Sequence, residues 1–183
     1  MRRLRPVPIA LLALLLAIGV AACGGDDDGE ASGTTAETKA KTTEQPTPSE
    51  LRRRLRDTTA KPVIPKPSGS PPRRLVKEDI VRGKGPAARP GDTITVHYVG
   101  VSFSTGAEFD SSWDRGQPFP VPLGQGAVIA GWDSGLVGMR EGGRRVLTIP
   151  PQLGYGREGY PPSIAPNETL VFVVDAISIK PRS

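Results

Sequence analysis

Thr93-Ile94-Thr95-Val96-His97-Tyr98-Val99 is rich in β-branched residues and repeats with the period of a strand, which puts Ile94, Val96 and Tyr98 on one face. Upstream, Leu75–Val81 reads as an opening strand, closed off by Gly83, Gly85, Pro86, Pro90 and Gly91. Downstream, Glu108–Asp110 and Phe119–Leu123 read as short strands, the second at a sheet edge because Pro120 and Pro122 cannot donate to a ladder. Arg144–Ile149 alternates again, with Arg145, Leu147 and Ile149 opposed to Arg144, Val146 and Thr148, and Thr169–Ile179 is the longest strand candidate. The helical signal is brief. Ile129–Leu136 places Trp132 and Leu136 four apart on one face, and Gly138 and Gly142-Gly143 stop it. The fold class is therefore α+β: a curled antiparallel sheet packed around one short helix.

Composition sets the limits of that domain. All nine aromatic residues of the 183 lie between Tyr98 and Phe172, so the core belongs to the C-terminal part, residues 75–183. One Cys excludes an internal disulfide, and one His makes a His-built metal site or a His-dependent triad a poor expectation. The formal charge of +5 comes from the first 74 residues, because from Leu75 onward 11 bases meet 11 acids. Nothing in the folded part asks for nucleic acid, whose binding domains cluster Lys and Arg on one face.

Residues 1–22 read as an export signal, with Arg2, Arg3 and Arg5 ahead of an apolar run too short for the ~20 residues of a membrane-spanning helix. Val20-Ala21-Ala22-Cys23 resembles the bacterial lipobox, which implies that Cys23 is acylated and becomes a membrane anchor. Residues 23–74 are then a lipidated Cys and a disordered Thr/Pro-rich tether, and the expected location is extracytoplasmic, on the cell membrane. Within the tether, Leu51-Arg52-Arg53-Arg54-Leu55-Arg56 reads as a solvated basic patch, with attraction to anionic lipid as the alternative.

Six short motifs fall in register along the domain: His97-Tyr98-Val99-Gly100, Phe109-Asp110-Ser111-Ser112, Val128-Ile129-Ala130-Gly131-Trp132, Leu147-Thr148-Ile149-Pro150, Leu153-Gly154-Tyr155-Gly156 and Leu170-Val171-Phe172. With Pro118-Phe119 among them, they resemble the FKBP-type peptidyl-prolyl cis-trans isomerases over about Leu75 to Lys180. The resemblance implies a half-barrel around the helix, with an aromatic pocket between. It puts Trp132 on the pocket floor and Tyr98, Phe109, Phe119, Val128, Ile129 and Phe172 in its walls, with Ile164 on the later loop. Asp110 and Tyr155 become the polar handles, and Arg115 the arginine beside the pocket aspartate. Expected substrates are proline-containing exported polypeptides, with no cofactor and no metal, and the chain is expected to act as a monomer. Macrolides of the tacrolimus/rapamycin type are implied as ligands, although Ala127 stands where many drug-binding members carry an acidic residue. Only 21 residues separate Thr148 from Leu170, too few for the inserted chaperone flap that some bacterial relatives of that family carry.

Each of these residues also has a plainer reading. Trp132 can be core filler, Tyr155 a surface turn residue and Asp110 a structural carboxylate, while His97 reads as structural and Trp113 as an exposed loop residue. At the level of function the alternatives are a binding or adaptor module that holds Pro-containing segments without turnover, and a purely structural envelope lipoprotein.

Overall fold

The computed structural model describes residues 53–182. The signal segment, Cys23 and the first part of the tether lie outside them. Every expected strand forms: β1 (Val76–Val81), β2 (Thr93–Ser102), β3 (Glu108–Ser111), β4 (Phe119–Pro122), β5 (Arg144–Ile149) and β6 (Leu170–Lys180), with a helix α1 (Ala130–Gly135) between β4 and β5. All pairings are antiparallel, in the order β1-β5-β6-β2-β3, and β4 pairs the first half of β2 while β3 pairs its second half. β4 is thus an edge strand, as its prolines require.

Alternation sorts the side chains between two faces. On the inner face Ile94, Val96 and Tyr98 of β2 join Leu147 and Ile149 of β5, and Leu170, Phe172 and Val174 of β6, in one buried cluster with Trp132 and Leu136 of the helix. Two glycines let the helix approach that face. A Cβ on Gly135 would stand 2.8 Å from Leu147 Cδ1, and one on Gly131 would collide with Ile149. Arg145 points inward too, where it donates to the carbonyls of Gly135 (2.7 Å) and Val137 (3.0 Å) and pairs with Asp79 of β1. These bonds satisfy carbonyls at the helix end that have no partner within the helix.

The outer face departs from expectation. Residues 55–66, expected to be part of a free tether, lie along it. Arg144 is fully buried (0% exposed) and makes five hydrogen bonds: Nε and Nη2 to the carboxylate of Asp175 (2.5 and 2.8 Å), Nη1 to the carbonyls of Leu55 (3.1 Å) and Asp57 (2.8 Å), and Nη2 to that of Ala60 (3.1 Å). The strap brings Ile64 onto an apolar cluster of Val99, Val101 and Val171, joined by Phe103, Trp113 and Val146. Trp113 is therefore half-buried rather than exposed, with its ring stacked on His97 at 4.5 Å. His97 is structural: its Nδ1 lies 3.0 Å from Ser112 Oγ, and its strand neighbour across the ladder is Asp175.

The physical reason is that the central strands are buried on both faces. From Leu170 to Ala176 every residue of β6 is buried. A sheet covered only by its helix would leave Val171, Val173 and Asp175 in water, so a second layer is needed, and the strap supplies it.

Candidate active site

The hollow lies where α1 meets the inner face. Tyr98 projects from β2, Phe109 and Asp110 from β3, Phe119 from β4, Trp132 from α1 and Phe172 from β6, while Ala127, Val128 and Ile129 precede the helix and Tyr155 follows the 3-10 turn Pro151–Leu153. Together these ten residues line a cavity of about 280 Å³. That size lies just below the ~300–1,000 Å³ typical of ligand clefts and suits one compact ring.

Its aromatic rings meet edge to face. Trp132 stands 4.9 Å from Tyr98 at 86° and 5.2 Å from Phe172 at 82°, and Phe109 stands 5.5 Å from Phe172 at 86°. Such pairs stabilise one another by about 0.5–1.5 kcal/mol beyond area burial, which fixes the rings as walls rather than loose filler. Trp132 is 4% exposed yet lines the cavity, so it is both core and floor. Phe119 and Tyr155, 40% and 39% exposed, form the rim. Gly100, within a motif noted above but assigned no role, sits opposite Asp110 in the ladder. A Cβ there would come within 2.7 Å of both Phe109 and Phe172, so only glycine lets the two rings close together.

The polar groups gather at one side. The Tyr98 hydroxyl donates to Asp110 Oδ2 (2.5 Å) and accepts from Arg115 Nη2 (2.7 Å), while Arg115 Nη1 pairs with the other carboxylate oxygen of Asp110. The guanidinium also lies 5.5 Å from the Tyr98 ring centre. Burial, helped by the hydrogen bond to Asp110, pushes the Tyr98 hydroxyl up to about 12. The Tyr155 hydroxyl is also raised, by burial and then by the charge of Asp110. Both are therefore neutral donors at physiological pH. The Asp110 charge is balanced inside the cluster, so it is poorly placed to take a proton from a substrate.

Two expected site residues stand apart from the cavity. Arg115 does not line the hollow and touches it only through Asp110 and Tyr98. Ile164 is 3% exposed and belongs to the core beneath the late loop, where its backbone N–H and carbonyl bond Tyr160. Tyr160 takes the outward place instead, its ring 5.7 Å from that of Tyr155. Among the described residues no group of three His, Cys, Asp or Glu side chains could hold a metal ion.

A curled antiparallel sheet closed over a short helix, with an aromatic-lined hollow between them whose carboxylate, Asp110, is paired with Arg115, defines the class of this domain. Residues 85–177 match the model of the FKBP-type peptidyl-prolyl cis-trans isomerases. The chain is 53% identical over 120 residues to an FK506-binding protein of Streptomyces anulatus, covering 65% of this chain and 97% of that one. It is 54% identical over 118 residues to a probable FK506-binding protein of Corynebacterium glutamicum, covering 64% and 98%. Among solved structures it resembles FkpA from Escherichia coli (TM-score 0.54, 43% identity, 60% of this chain and 49% of that one) and AtFKBP13 (TM-score 0.53, 41% identity, 57% and 91%). The chain belongs to the FKBP-type peptidyl-prolyl cis-trans isomerase family and is an enzyme of that type.

Proposed function

We propose that the domain accelerates X–Pro rotation by accepting the prolyl ring into the hollow over Trp132, and that it serves exported polypeptides from a Cys23 lipid anchor on the outer side of the cell membrane. The observation that carries the site is the convergence of Tyr98, Phe109, Phe119, Ile129, Trp132, Tyr155 and Phe172 on one cavity whose only carboxylate, Asp110, is already paired.

X–Pro rotation has a barrier of ~18–20 kcal/mol and takes tens to hundreds of seconds unaided. Twisting the amide breaks its resonance and with it the charge separation between oxygen and nitrogen, so the twisted state is less polar than either planar one. A water-poor aromatic wall disfavours the twisted state less than the planar states, which is differential binding of the kind that lowers a barrier. Each 1.36 kcal/mol so gained is about tenfold in rate. Val128 and Ile129 close the hollow beside the helix start, and the neutral Tyr155 hydroxyl at the rim is placed to donate to a substrate carbonyl. Asp110, Arg115 and Tyr98 hold the wall that carries Phe109. Macrolides of the kind named in the relatives would enter the same hollow, but Ala127 offers them no side-chain acceptor.

The test is protease-coupled isomerisation of an X–Pro peptide by the full chain as a monomer, with Trp132→Leu combined with Tyr155→Phe. The double variant is expected to lose at least about tenfold in kcat/KM, from loss of the indole floor and of one hydrogen bond in the transition state. Unchanged activity would remove the site assignment, and peptide binding without any acceleration would make the domain an adaptor. Incorporation of labelled palmitate, abolished by Cys23→Ala, tests the anchor.

A further inference from the structure

The wall that carries Asp110 is a short edge of the sheet. β3 has four residues, pairs on one side only, and its register with β2 is interrupted by a bulge between Gly100 and Val101. The loop after it brings Arg115 back to Asp110. This segment holds three carboxylates within seven residues, Glu108, Asp110 and Asp114, and Arg115 alone among its own side chains can neutralise them.

The strap meets that segment at one point. Lys61 Nζ lies 2.8 Å from Glu108 Oε1 and 2.8 and 2.7 Å from the two oxygens of Asp114. These two acids bracket the stretch that contains Phe109, Asp110 and Ser111, and Asp114 is the immediate neighbour of Arg115. Lys61 itself is not free to wander. The carbonyl of Ala60 before it is bonded to buried Arg144, Pro62 after it is buried, and Ile64 sits in the outer cluster. Most surface ion pairs count for little because two loose side chains must be ordered to form them. Here one end is pre-ordered and one ammonium bridges two carboxylates.

We infer that Lys61 is a positioning residue for isomerisation: by neutralising Glu108 and Asp114 it leaves Arg115 to Asp110 and so fixes the Phe109–Asp110 wall of the hollow. Without it, Asp114 stands next to Arg115 as an uncompensated competitor for the guanidinium, and the like charges at 108, 110 and 114 push the edge strand outward. The inference rests on the hollow proposed above.

The experiment compares kcat/KM for an X–Pro peptide in the full chain carrying Lys61→Met, Lys61→Arg, Lys61→Met with Asp114→Asn, and Trp132→Leu with Tyr155→Phe, with a thermal midpoint for each. Lys61→Met is expected to lower kcat/KM about two- to tenfold, the range of one or two ion pairs, and to approach wild type as salt is raised. Lys61→Arg restores activity because it keeps the charge. Asp114→Asn added to Lys61→Met also restores much of it, because it removes the competitor for Arg115, which a merely structural role of the strap would not allow. Lys61→Gln replaces Lys61→Met if the latter folds poorly. Full activity of Lys61→Met and Lys61→Gln, or a loss that neither Lys61→Arg nor Asp114→Asn repairs, overturns the inference while the pocket stands. If the pocket double variant keeps full activity, the hollow itself is refuted, and Lys61 with it.

Discussion

The two faces of one sheet are buried by different means. The inner face is covered mainly by side chains: aromatic rings and aliphatic groups meet a short helix whose last carbonyls are taken up by Arg145, and the leftover space is the hollow. The outer face is covered by an irregular strap whose backbone carbonyls have no ladder to join. Those carbonyls are satisfied by a buried guanidinium, and that charge by a buried carboxylate. A helix leaves unpaired backbone only at its ends, where Arg145 meets it, whereas an irregular strap brings polar backbone along its length and needs a polar partner for each exposed carbonyl.

This contrast makes graded predictions. The largest effect belongs to Arg144→Met, which orphans both the Asp175 carboxylate and three strap carbonyls. It should cost about 3–5 kcal/mol in a denaturant unfolding curve, the range for breaking one partner of a buried pair. If it unfolds at the wild-type midpoint, the strap is not held as described.

Gly100→Ala should come next. A methyl 2.7 Å from Phe109 and Phe172 must displace a ring, at about 1–3 kcal/mol of overpacking. Isomerase activity of the remaining folded protein should fall as well, since both rings wall the hollow. Ile64→Ala, on the opposite face, should cost about 1–2 kcal/mol, because the side chain is only half-buried. Its effect on kcat/KM should be smaller than that of Gly100→Ala. Equal activity losses from the two would erase the distinction between the faces.

The smallest effects are those of pH. With Tyr98 pushed up to about 12, its hydroxyl stays protonated, and kcat/KM should not fall on the alkaline side up to roughly pH 9. On the acid side, Glu168 accepts from Ser104 N (3.0 Å) and Ser104 Oγ (2.6 Å). Burial alone would raise its carboxyl, but these hydrogen bonds outweigh it and hold the group below its ordinary 4.5. A lowered folded value means the stabilisation is present above 4.5 and is lost as pH falls through the folded value. Acid unfolding followed by circular dichroism should therefore show a weaker pH dependence in Glu168→Gln.

The inner face was legible in the sequence because alternation and aromatic placement are side-chain signals. Ile94, Val96 and Tyr98 project together as their spacing requires, and Trp132 and Leu136 meet them from the helix. The outer cover was not legible, because what holds it is carbonyl oxygen, which every residue carries. Pro62, Pro65 and Pro67 removed any periodicity and made the strap read as tether. One clue lay elsewhere: Leu170-Val171-Phe172-Val173-Val174 does not alternate, as a strand with one wet face would. Arg144 beside Arg145 was the other, since two adjacent arginines on a buried strand must point to opposite faces and each must find a partner. Ile164 was expected to meet substrate from the late loop and is buried beneath it, while Tyr160 takes the outward place.

Each face carries one tryptophan whose indole N–H is buried and without a partner, Trp132 on the inner side and Trp113 on the outer. Their two indole signals in a nitrogen-15 NMR spectrum of the full chain, recorded as an X–Pro peptide is added and its cis–trans exchange is followed, separate the faces in one experiment. The Trp132 signal should move in step with accelerated exchange while the Trp113 signal stays. Accelerated exchange with Trp132 unmoved, or with Trp113 moving in its place, would rule out the hollow as the place where the prolyl bond turns.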